Sequence, residues 1–238
     1  DAQESRGLGD VYKRQKIDRL DQLESNESDW LSVIDYKSSP HSFNVADAYY
    51  GIALQLITYL DVAVTDFSEA KGKEIKPAGA YYLHVHNPVL KDSKSIEKDM
   101  LKAYQYDGLF AKEPELYDQL DQSLQEKESS LLFPIKKDKN GQTVIVSQSK
   151  DKFYDLSEID ILRQYNREKI QKAGNQIVSG EIKLNPTYKD NQRIACQYCP
   201  FRSVCKFDAM LKENNYHRLE KLSKEEVLKR MEEELHDN

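Results

Sequence analysis

Long apolar runs are absent from this chain of 238 residues, and its mean hydropathy is −0.78. The longest apolar stretch, residues 52–64, is interrupted by Gln55, Thr58, Tyr59 and Asp61. A membrane-spanning helix needs about 20 consecutive apolar residues, so the sequence argues against a membrane protein. No signal-peptide pattern stands at the N-terminus, and we expect a cytoplasmic protein.

The chain also lacks an excess of positive charge. It carries 35 Lys and Arg residues against 41 Asp and Glu residues, which gives a formal net charge of −6. This balance argues against a protein that wraps nucleic acid through bulk charge, but not against an enzyme that meets phosphates locally. One segment, 186–206, has a single acid, Asp190, among four cations: Lys189, Arg193, Arg202 and Lys206.

Cysteine is scarce, and its three copies lie within ten residues as Cys196-x-x-Cys199-x5-Cys205. An odd, clustered set argues against a disulfide framework and favours a metal site in a reducing compartment. Three thiolates at this spacing suit zinc or an iron–sulfur cluster. A [4Fe-4S] cluster would need a fourth cysteine from upstream, whereas His217 would complete a zinc site.

The carboxylates near the start of the chain follow a pattern that suits a metal-dependent phosphodiesterase. Asp18 lies on one predicted strand, and Asp35-Tyr36-Lys37 ends the next predicted strand, 31–37. Side chains at i and i+2 share a face of a strand, so Asp35 and Lys37 project together. Two carboxylates with the Tyr36 carbonyl are ligands that suit Mg²⁺. Taken alone, the motif is also compatible with a solvated strand end.

A helix is predicted directly after this strand. Asn44 is a suitable N-cap, and apolar residues keep helical spacing to about Phe67. Gln55 and Tyr59, four residues apart, share one face of this helix, where they would border the acidic strand. The alternative is a polar helix edge packed by a tyrosine.

The remaining pattern alternates helices and strands. We predict a strand over 77–86 with His84 and His86 on one face, helices over 95–106 and 157–176, a solvated acidic helix over 113–128, a hairpin of 131–135 with 143–147, and a peripheral last helix capped by Ser223 with Glu226. Ser157 with Asp160 is the predicted start of the second of these helices.

Four segments, IDRLD, VIDYKSS, LQLITYL and CQYCPFRSVCKFD, together resemble the RecB-type nuclease domain of the PD-(D/E)xK superfamily. Within it, the resemblance is closest to the C-terminal region of AddB-type (RexB-type) subunits. It implies an α/β restriction-endonuclease-like core, a mixed sheet flanked by helices, with a C-terminal cysteine-rich iron–sulfur loop. It also implies a Mg²⁺-dependent DNA exonuclease that cuts the 5′-ended strand during recombinational double-strand-break repair.

The resemblance assigns roles to individual residues. It implies the nuclease residues Asp18, Asp35, Lys37, Gln55 and Tyr59, metal ligands from Asp18, Asp35 and the Tyr36 carbonyl, and three of four [4Fe-4S] ligands in Cys196, Cys199 and Cys205. The implied partners are DNA and an AddA/RexA-type helicase–nuclease subunit. Gln15 stands where the family has the glycine of G-x-I-D-R.

The expected domain organisation follows from these segments. Residues 10–15, DVYKRQ, resemble a translated sequencing-library adapter, so we expect 1–15 to be a non-native leader. The nuclease domain is expected over 16–208, including the cysteine loop 186–208, with a charged helical tail over 209–238. Two other functions fit the same residues: a free-standing CRISPR-associated RecB-type exonuclease and a non-catalytic clamp on DNA ends.

Overall fold

The computed structural model describes residues 16–24, 28–85, 96–212 and 214–237. Within these ranges the strands are β1 (Arg19–Leu23), β2 (Asp29–Lys37), β3 (Ile75–His84), β4 (Asp107–Ala111), β5 (Ile135–Lys137), β6 (Thr143–Ile145), β7 (Phe153–Tyr154), β8 (Thr187–Tyr188) and β9 (His217–Arg218). The helices are α1 (Val45–Tyr49), α2 (Gln55–Lys71), α3 (Ile96–Ala103), α4 (Pro114–Leu120), α5 (Leu156–Val178), α6 (Arg202–Cys205) and α7 (Lys224–His236). The expected leader and His86 lie outside the described residues.

A five-stranded sheet in the order β1-β2-β3-β4-β7 forms the centre of the fold. The β1–β2 and β3–β4 pairs are antiparallel, whereas the β2–β3 and β4–β7 pairs are parallel. The expected mixed α/β sheet is therefore confirmed. In the ranges that the structure describes, no helix has the length and apolar character needed to cross a membrane.

The two faces of the sheet carry separate apolar clusters. Leu31 and Val33 of β2 point to the face on which α2 and α5 pack, whereas Ile34 points to a cluster of aromatic side chains that includes Tyr81 and Phe110. This alternation follows from the period of two in a strand. Asp35 and Lys37 continue the Leu31–Val33 row, so the sequence places them on the face covered by α2.

Two glycines let β3 and β4 approach closely. Gly79 and Gly108 have φ values of +151° and +158°, which other residues rarely adopt. A Cβ on Gly108 would clash with the Ala80 carbonyl oxygen, and one on Gly79 with the Leu109 carbonyl oxygen. The close approach fixes the register that pairs Tyr82 with Asp107.

The single helix predicted from Asn44 to about Phe67 is wrong, because the chain breaks it into α1 and α2. Asn44 does cap α1, accepting a hydrogen bond from the Ala46 N–H. Gly51 then takes a positive φ of +80°, which ends the helix. The carbonyl of Asp47 accepts hydrogen bonds from both N–H groups of residues 52 and 53. As a result, Gln55 opens α2 instead of lying within a longer helix.

The acidic helix predicted over 113–128 is shorter and less solvated than expected. Only Pro114–Leu120 is helical, and Leu116 and Tyr117 are buried. Asp121, which follows α4, is itself buried and accepts a hydrogen bond of 2.6 Å from the Ser130 hydroxyl. Because its carboxylate ties down the following turn, the helix does not continue.

The other predicted elements are confirmed with shifted ends. The hairpin forms as β5 and β6, and the predicted strand and helix around 77–106 form as β3 and α3. Helix α5 starts earlier than predicted, since Asp155 and Glu158 form its capping box in place of Ser157 and Asp160. Both pairs have the i, i+3 spacing of a capping box, but the helix begins at the earlier pair.

The last helix is not peripheral, contrary to expectation. Ser223 and Glu226 form the predicted capping box of α7. However, Val227 and Met231 are fully buried, and α7 packs against α1 and α5. The Glu234 carboxylate accepts hydrogen bonds from the hydroxyls of two tyrosines, Tyr49 and Tyr165. The sequence analysis missed this packing because charged residues outnumber the few apolar residues of α7 that are buried.

We predict that Met231→Ala lowers the free energy of unfolding by about 2–5 kcal/mol, because it opens a cavity beneath α7. Glu232→Ala, on the exposed side of the same helix, should change it by less than about 0.5 kcal/mol. Urea unfolding of the two variants measures the difference. Equal, small effects would mean that α7 contributes little to the core.

Candidate active site

Four side chains line one end of the sheet on the α2 face. Asp35 of β2 pairs with Tyr82 of β3, and Tyr82 pairs with Asp107 of β4. Asp18 lies one step beyond the Arg19–Ile34 pair, so continuing that register sets it opposite Asp35. The Tyr36 N–H donates to Asp18 Oδ2 at 3.0 Å, which fixes this exposed carboxylate beside β2.

Asp35 and Lys37 project from β2 as the strand period predicts. The Tyr36 side chain points away and is 41% exposed, whereas Asp35 is only 5% exposed. Lys37 Nζ lies 2.5 Å from Asp35 Oδ2. Oδ2 is buried, and the ammonium group balances its charge. The end of β2 thus presents a buried carboxylate that is paired with a lysine.

Two side chains from neighbouring elements hold Lys37 in place. Its ammonium group donates to Gln55 Oε1 at 3.2 Å and lies 5.3 Å from the centre of the Tyr82 ring, a cation–π distance. Gln55 in turn donates to the Tyr59 hydroxyl at 2.9 Å, so the predicted shared face is confirmed. Tyr59 is buried, which leaves its ring within the core and its hydroxyl orienting Gln55.

Helix α2 is fixed on α5 by a charge cluster around the buried Asp61, which the sequence pattern did not reveal. Asp61 of α2 accepts two hydrogen bonds from Arg167, at 2.5 and 2.6 Å, and one from Arg163 at 2.9 Å. One turn earlier, the Asn166 amide donates to the Thr58 hydroxyl. Since bidentate Arg–carboxylate pairs are strong and directional, they set the position of α2 and hence of Gln55.

Sequence reasoning also missed Tyr82 and Asp107, which lie 47 and 72 residues after Asp35. Burial, together with the negative charges of Asp35 and Asp107, raises the pKa of Tyr82 to about 12. Its hydroxyl therefore stays protonated at neutral pH. His84, expected near this site, is partly buried and accepts a hydrogen bond from the His41 N–H at 2.9 Å.

The residues at this sheet end suit a hard cation in part. Asp18 and Asp35 supply carboxylate oxygens, and the buried Asp35 Oδ2 is paired with the Lys37 ammonium group. No set of three or more His, Cys, Asp or Glu side chains converges within the described part of the chain. A cation here would therefore need backbone, water or substrate oxygens to complete its shell, as Mg²⁺ usually does.

The cysteine loop lies elsewhere and is held by aromatic and cation–π contacts. Tyr216 packs against Tyr188 and Phe207, and the Arg218 guanidinium lies 4.5 Å from the centre of the Tyr188 ring. The three cysteines are free thiols. Among the described residues, they do not form a metal-binding group of three or more side chains. His217, the alternative zinc ligand, lies edge-on against the Tyr50 ring.

A profile of the PD-(D/E)XK nuclease superfamily matches residues 11–206. The chain belongs to this superfamily. Asp35-Tyr36-Lys37 fits the (D/E)XK letters of the superfamily name, which makes the buried, charge-paired end of β2 the candidate nuclease centre. The structure brings Asp18, Asp35, Lys37, Gln55 and Tyr59 together there and leaves the three cysteines apart from it.

Several curated proteins named as the B subunit of an ATP-dependent helicase/deoxyribonuclease are similar to the chain. The Enterococcus faecalis protein is 56% identical over 225 residues, covering 94% of this chain and 19% of the relative. Those of Latilactobacillus sakei and Listeria monocytogenes are 39% and 37% identical, covering 93% and 91% of this chain and 19% of each relative. The chain thus spans about a fifth of these curated relatives' length.

We predict that Lys37→Met lowers the free energy of unfolding by about 3 kcal/mol, because it leaves the buried Asp35 charge unbalanced. Adding Asp35→Asn to Lys37→Met should recover most of this loss. Urea unfolding of the single and double variants measures the coupling.

Lys71→Met provides the matched control. It removes one of two lysines beside the buried Asp29, and Lys73 remains 2.8 Å from that carboxylate. If Lys37→Met lowers the free energy of unfolding no more than Lys71→Met does, Lys37 is not needed to balance the charge of Asp35.

Proposed function

We propose that this chain is the Mg²⁺-dependent DNA exonuclease domain of an AddB-type helicase–deoxyribonuclease. One observation carries the proposal: Asp18, Asp35 and Lys37 meet at one sheet end, where the buried Asp35 carboxylate lies 2.5 Å from the Lys37 ammonium group. The names of the relatives support the helicase–deoxyribonuclease part.

The residues divide the chemistry between them. Asp18, Asp35 and the Tyr36 carbonyl would hold Mg²⁺, which when bound acidifies a water and offsets charge on the phosphate. Lys37, already oriented by Gln55 and Tyr82, places a positive charge where negative charge develops as the phosphodiester breaks. Because its donors are oriented before substrate binds, little reorganisation is needed at the reaction.

The proposed biological setting is recombinational repair of double-strand breaks in the cytoplasm. The domain would hydrolyse the 5′-ended strand while an AddA/RexA-type partner and the rest of the longer protein unwind the duplex. The relatives' name, which combines helicase and deoxyribonuclease and marks the chain as one of several subunits, supports such a partner.

Two alternatives receive less support. A non-catalytic DNA-end clamp has no use for a carboxylate and a lysine paired at a buried strand end, because burying charge costs stability. A free-standing CRISPR-associated exonuclease fits the same motifs, but the similar proteins described above are named as parts of a helicase/deoxyribonuclease.

We predict that Asp35→Ala or Lys37→Ala, made in the full-length protein together with its partner, lowers cleavage of one DNA strand by about 100-fold or more. Unwinding should persist, because the substitutions touch only the nuclease centre. Duplexes labelled on either strand, with ATP and with or without Mg²⁺, measure both activities.

Asp29→Asn is the matched control, since Asp29 is also a buried acid on β2 but lies at the opposite end of the strand. It should leave both activities near wild type. Undiminished cleavage of both strands by Asp35→Ala would overturn the proposal, as would cleavage that does not depend on a divalent cation.

We further propose that Cys196, Cys199 and Cys205 bind a [4Fe-4S] cluster with a fourth ligand from outside this chain. Their thiols are free, and Cys205 is exposed, which leaves it accessible to a group that approaches from elsewhere in the protein. Zinc completed by His217 is the weaker alternative, since that ring packs on Tyr50.

Full-length protein purified without oxygen should be brown and absorb blue light, because iron–sulfur clusters are coloured and zinc sites are not. Cys199→Ser should remove the colour and the iron, whereas Ser203→Ala in the same loop should retain both. A colourless wild-type protein that contains zinc would refute the cluster.

A further inference from the structure

Residues 38–43, here called the 38–43 loop, connect Lys37 at the end of β2 to the Asn44 cap of α1. Ser38, Ser39 and His41 of this loop are exposed, although the loop begins at the candidate nuclease centre. A substrate that reaches Lys37 would therefore meet these side chains.

The loop is tied down near its middle by His41. The backbone N–H of His41 donates to His84 Nε2 at 2.9 Å, and its ring nitrogen Nδ1 lies 2.9 Å from the Ser39 carbonyl oxygen. The His41 ring also lies against the Tyr82 ring, with 5.9 Å between centres. Tyr82 thus contacts both the loop and Lys37.

Asp107 ties down the far end of the loop. Its Oδ1 accepts the Phe43 N–H at 3.1 Å, the Ser42 hydroxyl lies 3.2–3.3 Å from both oxygens, and Lys152 Nζ lies 2.5 Å from Oδ2. Both oxygens of Asp107 are therefore occupied. Asp35 lies two strands away in the same row and pairs with Lys37 and not with the loop, so the two acids have different partners.

We propose that Asp107 is a positioning residue, which holds the 38–43 loop so that Ser39 and His41 contact the DNA strand beside the scissile phosphate. This inference rests on the proposed nuclease function. A loop left free would lose conformational entropy each time DNA bound, and that loss would weaken binding. The Asp107 contacts order the loop in advance, which favours DNA binding.

The test uses the full-length protein together with its partner, Mg²⁺ and a labelled duplex. Asp107→Ala should raise KM for DNA by about tenfold with kcat within about twofold, since ordering of the loop affects binding more than bond cleavage. Asp107→Asn keeps an acceptor oxygen for the Phe43 N–H and should restore most of the affinity. His41→Ala, an exposed substitution that spares the fold, should raise KM in the same direction.

Hydrogen exchange adds a readout for the loop itself. Asp107→Ala should speed exchange of the Phe43 amide, whose acceptor it removes, while the amides of β2 stay protected. If Asp107→Ala fails to fold, the KM of His41→Ala decides whether the loop contacts DNA, and an unchanged KM overturns the inference.

Asp121→Asn is the matched control. Asp121 is buried and, like the partly buried Asp107, fixes a turn, but it does so through the Ser130 hydroxyl and not through the 38–43 loop. It should lower the melting temperature without raising KM. An unchanged KM for both Asp107→Ala and His41→Ala, or an equal rise for Asp121→Asn, would overturn the inference. Wild-type protein that does not cleave, or cleavage that survives Asp35→Ala, would instead overturn the proposed function.

Discussion

The ion pair between Asp35 and Lys37 is the central interaction of the candidate site, and the neighbouring elements hold its two side chains in place. A carboxylate this deeply buried is costly, and here its charge is balanced by the Lys37 ammonium group 2.5 Å away. Such an arrangement persists only when neighbouring groups hold it. Gln55 and Tyr82 fix the ammonium group, and the pairing of β2 with β1 and β3 fixes the strand end.

Much of the chain outside the site is used to place Gln55. Gly51 separates α1 from α2, so that Gln55 lies in the first turn of α2 and faces the end of β2. Arg163 and Arg167 of α5 donate hydrogen bonds to Asp61, further along α2. The ion pairs of Asp61 hold the middle of α2, and the turn before Gln55 holds its start. Because both are fixed, Gln55 has little freedom to move away from Lys37.

Local periodicity was enough to predict the parts of the site that are close in sequence. The period of two put Asp35 with Lys37, and the i, i+4 spacing put Gln55 with Tyr59, because both relations depend only on the regular geometry of one element. The helix break at Gly51 was missed because the apolar spacing runs through it. Tyr82 and Asp107 were missed for another reason: only sheet register brings them beside Asp35, and register is a long-range property.

The cysteine loop is distant from the nuclease centre in sequence, yet a short series of contacts connects them. Lys189, which precedes the cysteines, pairs with Asp47 of α1 at 2.5 Å. The Asp47 carbonyl accepts the two N–H groups of residues 52 and 53, in the turn that leads directly to Gln55. The same residue, Asp47, therefore contacts the segment that carries the cysteines through its side chain and the turn before Gln55 through its backbone.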